Sequence, residues 1–200
     1  MTAAEEHDEA FLTGQEGQLL LDIARDTLQE WTIRRATPPL ERYELPPNLL
    51  NKHAAFVTLR NQGELRGCVG YTANTEPLAA AVRHNTVNAA SKDTRFPPVE
   101  ASELPDIAIE ISVLTPGDTP ETPFKRVRDA GEIVIGRDGL YVAQTGSKGG
   151  LLLPQVAVEE DWDRDAFLSA VCRKAGYTPN AWRDPDTRIY RFSAQVFSET

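Results

Sequence analysis

Two cysteines and three histidines are all that these 200 residues supply of the side chains that most often bind metals or pair a nucleophile with a base. Cys68 and Cys172 are too few for a disulfide framework or a four-thiolate metal site. His7, His53 and His84 have no ligand-like spacing. Also missing are a C-x-x-x-C-x-x-C cluster motif, a phosphate-cradling Walker loop and a G-x-G-x-x-G turn after a strand. No cofactor and no metal are therefore expected. No run approaches about 18 uninterrupted apolar residues, which excludes a membrane-spanning helix. No long basic run interrupts an acidic balance of 21 Lys and Arg against 30 Asp and Glu, net charge -9. Nucleic acid is thus not expected as a partner, because affinity for a phosphate backbone comes from clustered cations. An unknown small-molecule substrate is easier to accommodate. The acidic start, MTAAEEHDEAF, lacks the apolar segment of a secretory signal, and with so few cysteines the expected location is cytoplasmic.

What is present suits a folded domain. A chain 40% hydrophobic and 26% charged is globular in composition, and one of this length buries roughly 70% of its unfolded surface. Residues 1–12 are polar and expected to be a flexible tail. Thr13-Gly14-Gln15-Glu16 has the form of a capping box, and Leu20, Ile23, Ala24, Thr27, Leu28 and Trp31 continue it at helical spacing to about Arg35. The prolines of TPPLERYELPPN, residues 37–48, stop that helix and make a connector. AAFVTLRNQGELRGCVG reads as two strands around a turn at residues 61–64. Thr75 is the expected cap of a helix to about Ser91, with Pro77 in its first turn, and IAIEISVLT at 107–115 is a strand.

The second half repeats the order strand, strand, helix, strand. GEIVIG and LYVAQTG flank Arg137-Asp138-Gly139, a hairpin signal. GSKGG, residues 146–150, reads as a loop before a third strand in GGLLLPQVA. Asp163 caps a helix closed by Gly176, and RIYRFSAQVFS alternates with period two at the end. The expected fold class is α+β, a single largely antiparallel sheet built from two strand-rich repeats with flanking helices. The domain spans residues 13–200, with one lobe at about 13–116 and another at about 125–200, parted near GDTPETPF.

The candidate chemistry centres on LRGCVG, residues 65–70. Strict alternation along a strand puts Arg66, Cys68 and Gly70 on one face, with Arg66 and Cys68 about 7 Å apart at the backbone. A nearby cation favours thiolate and lowers a cysteine's pKa from roughly 8.5. Gly67 and Gly70 let a ligand or another backbone come close. A buried structural thiol is the competing reading, since free cysteine is among the most buried residue types. Glu110, inside IAIEISVL, is either a solvent-facing strand residue or a carboxylate that serves Arg66 as ion partner or acts as a general base. Asp93 and Arg95 in KDTRFPP either anchor a loop or bind substrate. None of the histidines is spaced to reach Cys68.

LRGCVG, KDTRFPPV, ELPDIAIEISVLTP and GLLLPQVAVEEDW, in this order, resemble the AMMECR domain family, called protein A of the AmmeMemoRadiSam system in bacteria. The resemblance runs from about Leu12 to Phe197. It implies two similar strand-rich repeats with helices and genomic association with a Memo-like protein and a radical SAM protein. It also implies a functional role for the hexapeptide. That role singles out Arg66, Gly67, Cys68 and Gly70, and after them Asp93, Arg95, Phe96 and Glu110. The resemblance carries no reaction with it. Two roles follow as expectations. One is an accessory or substrate-handling component acting with those partners through a groove around LRGCVG. The other is an enzyme with Cys68 as thiolate nucleophile, activated by Arg66.

Overall fold

Thr13 opens the first helix as its spacing to Glu16 predicts. Its hydroxyl accepts the Glu16 backbone N–H at 3.2 Å, and the Glu16 carboxylate accepts the Thr13 N–H at 2.8 Å. The computed structural model describes residues 11–73, 75–119, 122–146 and 149–199. Most of the expected tail, residues 1–10, lies outside the described residues, but its last two positions are anchored. Leu12 is fully buried, and its backbone N–H and C=O are both held by the Gln195 amide.

The chain forms two units. The first runs through Val113 and resumes at Gln195; the second is Leu114–Ala194. In chain order the elements begin with α1 (Gly14–Arg34), α2 (Pro47–Leu50), β1 (Ala55–Asn61), β2 (Glu64–Tyr71), α3 (Leu78–Ser91) and β3 (Ile107–Leu114). There follow β4 (Lys125–Arg126), β5 (Gly139–Gln144), β6 (Gly150–Leu152), α4 (Pro154–Glu159), α5 (Arg164–Lys174), β7 (Thr187–Phe192) and β8 (Ala194–Ser198). Two four-stranded sheets result, ordered β2-β1-β3-β8 and β4-β7-β5-β6. The α+β class holds, with antiparallel pairing of β1 with β2 and β3, and of β7 with β4 and β5. The single sheet does not. RIYRFSAQVFS breaks at Ser193, so β7 joins the second sheet and β8 the first.

The repeat of element order appears in the sheets themselves. In each, a hairpin precedes a helix, and the next strand pairs beside the hairpin's first strand: β2-β1-β3 is matched by β6-β5-β7. The second hairpin is not where Asp-Gly suggested. GEIVIG opens within a 3-10 turn, Ala130–Glu132, because Asp129 accepts the Gly131 N–H and Glu132 accepts the Asp129 N–H, a local capping box that overrides β propensity. Asp138 is buried, not at a hairpin tip, and accepts hydrogen bonds from Val134 N and the Arg137 guanidinium. In GGLLLPQVA only residues 150–152 are strand, and Pro154 starts α4. Thr75 does not cap α3. Pro77 occupies that position, and the Leu78 N–H is satisfied by the Asn51 carbonyl at 2.9 Å.

In the first unit, Ala55, Val57 and Leu59 of β1 and Ile107, Ile109, Ile111 and Val113 of β3 alternate into a core shared with Leu20, Ile23 and Leu28 of α1 and Leu78 and Val82 of α3. Each of these valines, leucines and isoleucines contributes about 1.5–3 kcal/mol on burial. In the second, Phe167, Leu168 and Val171 of α5 pack on Leu140, Val142 and Leu152. Asp163 caps α5 through the Ala166 N–H at 2.8 Å, and Gly176 beyond its end adopts φ +81°, the left-handed conformation glycine tolerates best.

Candidate functional site

β2 is an edge strand, so every other residue turns its backbone N–H and C=O away from the sheet, where they need partners. At Cys68 the partners come from the loop after α3. The Cys68 N–H donates to Asp93 Oδ2 at 2.9 Å, and the Cys68 C=O accepts from the Arg95 guanidinium at 3.4 Å. Asp93 and Arg95 are themselves paired through two guanidinium–carboxylate bonds of 2.9 and 2.6 Å. The aspartate side chain is only 6% exposed. Arg95, then burial working the other way, then the Cys68 N–H set its pKa, which falls to about 2. The pair closes the sheet edge at one residue, in place of a further strand.

Arg66 does not share that arrangement. Leu59 opposes Gly67 while Arg60 opposes Leu65, so Arg66 is the extra residue of a β-bulge and strict alternation fails there. Its guanidinium grips Glu103 through bonds of 2.6 and 3.0 Å and gives a third to the Pro97 carbonyl at 2.9 Å. Its ion partner is thus Glu103, not Glu110. Arg66 is the main reason that the Glu103 carboxyl titrates below its ordinary range. Phe96 receives both cations on its ring, Arg66 at 5.9 Å and Arg95 at 5.5 Å from the centroid.

On the face of the sheet away from Val57 and Leu59 runs a row across three strands, half-buried at its two ends and buried at Thr58 in the middle. Cys68 opposes Thr58, and Thr58 opposes Glu110. The Thr58 hydroxyl donates to Cys68 Sγ at 3.3 Å. Cys68 and Glu110 are half-buried, whereas Cys172 is fully buried, with its thiol pushed up by that burial. Gly67 points the other way. A Cβ there would come within 2.3 Å of the Ala89 carbonyl oxygen, so the close approach it permits is that of α3 and not of a ligand. Gly70 likewise accommodates the Phe56 ring, its cross-strand partner, 2.3 Å from where a Cβ would stand.

The histidines stand elsewhere. His84 pairs with Glu76 at 2.7 Å, and half-buried His53 lies edge-on to Phe11, its pKa lowered by desolvation. His7 lies outside the described residues. Among the described residues no three potential ligand side chains gather as a metal site would require. Nor is any helix there long and apolar enough to cross a membrane. The sequence reading missed Thr58 and Glu103. The three-residue spacing of Glu100 and Glu103 offered one signal, since the Glu103 carboxylate accepts the Glu100 N–H, a capping pattern.

Comparison with known proteins places this chain in a group. The family model described as AMMECR1 matches residues 21–197. A protein of Thermococcus gammatolerans is 43% identical over 190 residues, covering 92% of this chain and 90% of the relative. Protein PF1979 of Pyrococcus furiosus is 42% identical over 190 residues, covering 92% and 88%. The crystal structure of protein PH0010 from Pyrococcus horikoshii superposes with a TM-score of 0.87 at 36% identity, covering 94% of each chain.

Proposed function

The chain belongs to the AMMECR1 family, and on that premise we propose that it is an accessory, substrate-handling protein that works in the cytoplasm beside a Memo-like protein and a radical SAM protein. The surface it uses is the Cys68–Thr58–Glu110 row and its Asp93–Arg95 border. One observation carries this reading: the charged residues of the hexapeptide region are consumed in holding the strand. Arg66 is committed to Glu103 and Pro97, and Asp93 to Cys68 N and Arg95. A general acid or base has to exchange a proton with a substrate, and carboxylates locked against guanidinium groups are poorly suited to that. The half-buried sulfur and its hydroxyl neighbour are suited to contact and orientation. Co-purification of the full chain with a Memo-like and a radical SAM protein, at physiological salt, tests the proposal. The expected result is retention of at least one of them. A chain that passes both without association removes the accessory role.

A second reading makes Cys68 a nucleophile with a cation close by: Arg95 donates to its carbonyl at 3.4 Å, whereas the Arg66 guanidinium is held by Glu103 and Pro97. That reading requires an alkylation midpoint well below about 8.5 for Cys68 in the folded protein.

A further inference from the structure

We propose that the open face of the second unit's sheet binds a free mononucleotide, the base stacked on tyrosine and phenylalanine rings and the phosphate held by arginine. Tyr141 of β5, Tyr190 of β7 and Arg126 of β4 form one cross-strand row, with Tyr141 opposite Tyr190 and Tyr190 opposite Arg126. Phe124, just before β4, stacks on Tyr141 with centroids 4.8 Å apart and planes 20° apart. Tyr190 lies 6.0 Å from Tyr141 and 6.1 Å from Phe124. All three rings are only partly buried and line an open cavity of about 600 Å³. Sites for small ligands and cofactors have volumes of this order.

The chemistry of the rim selects the ligand. Arg126 lies over the Tyr190 ring at 5.3 Å, and Arg188 stands one row along the same face, opposite Ala143. Both are exposed, and neither guanidinium has a carboxylate partner among the described residues. Among the described residues, two arginines without a carboxylate partner stand against the single carboxylate of Asp118, so that in a protein of net charge -9 this rim carries a positive balance suited to an anion. Asp118 lines the same cavity, its carboxylate accepting the Arg126 backbone N–H at 3.3 Å, and it offers an acceptor for ribose hydroxyls. Gly149 leaves the Tyr141 ring its place, since a Cβ there would come within 2.3 Å of it. A ring platform with adjacent arginines is how single bases and their phosphates are held. The acidic surface as a whole disfavours a long polyanion, which points to a free nucleotide over a nucleic-acid strand.

Isothermal titration of the full chain with AMP tests this, with adenosine, inorganic phosphate and a short single-stranded oligonucleotide as the other arms. AMP is expected to bind about tenfold or more tighter than adenosine or phosphate alone. Arg188→Ala, a change at an exposed residue, is expected to weaken AMP about tenfold with no change in the circular dichroism spectrum. Tyr141→Leu is expected to weaken AMP and adenosine alike. No AMP binding at about 1 mM, or AMP binding undiminished in Arg188→Ala, overturns the site. Binding of the oligonucleotide far tighter than of AMP overturns the assignment to a free nucleotide.

Discussion

Gly67→Ala is expected to lower the stability of the chain by about 2–3 kcal/mol, the upper part of the range for forcing a methyl into a packed site. The new Cβ would meet the Ala89 carbonyl oxygen at 2.3 Å. That atom is backbone of α3, so no side chain can rotate aside, and either β2 or α3 has to shift. A shift of α3 disturbs Leu78 and Val82, both fully buried in the first core. For a chain of this size the melting temperature should fall by about 5–10 °C, measured by thermal unfolding followed by circular dichroism. Gly14→Ala is the control. Nothing lies within 4 Å of its Cβ position, and it starts α1, so that variant should melt at or slightly above the parent temperature. Equal melting for parent and Gly67→Ala would mean that Gly67 is kept free for a ligand and not for the helix.

The second large effect belongs to Asp93. Asp93→Asn removes the charge that binds Arg95 and weakens the acceptor for Cys68 N–H, and should destabilise the protein by about 1–3 kcal/mol at neutral pH. The pH dependence follows from the direction of its shift. The carboxyl falls from its ordinary 3.8 to about 2 in the folded protein. A group depressed on folding contributes its full stability above the unfolded pKa and loses it as pH falls through the folded one. The parent's advantage over Asp93→Asn should therefore be constant above about pH 5 and shrink between pH 4 and pH 2 as its charge-linked part is lost. Its charge-linked part is at most about 2 kcal/mol, reduced by solvent around the half-exposed Arg95. Denaturant melts at several pH values check this. An advantage that persists unchanged below about pH 2 would show that the carboxylate's charge contributes nothing.

The parts legible in the sequence are those whose signal is local. Thr13 and Glu16 form their capping box within one turn, Asp163 caps its helix within three residues, and LRGCVG is a strand because the residues around it alternate or are β-rich. The parts that were not legible depend on pairing. From a turn at residues 61–64, an unbroken ladder would set Thr58 opposite Gly67. The bulge at Arg66 moves that partner to Cys68, which is how a hydroxyl comes to lie 3.3 Å from the sulfur. A one-residue slip decides what the thiol touches, and no periodicity announces it. The division into two sheets was hidden for a similar reason: alternation runs through Ser193 without interruption while the strands on its two sides pair in different sheets. Arg66 stood out in the sequence, but its partner Glu103 lies 37 residues away, on a turn rather than on the strand that carries Glu110.

If the Asp93–Arg95 clamp and the bulge at Arg66 hold β2 so that the Cys68 sulfur meets a ligand or partner, as proposed above, that sulfur has to be reachable in the folded protein. The direct measurement is mass spectrometry of the native protein after iodoacetamide treatment, with fully buried Cys172 as internal standard. Cys68 should be alkylated while the fold is intact, and Cys172 only after unfolding. If both cysteines stay unmodified until the protein unfolds, Cys68 is packing, and the row it shares with Thr58 and Glu110 is not a working surface.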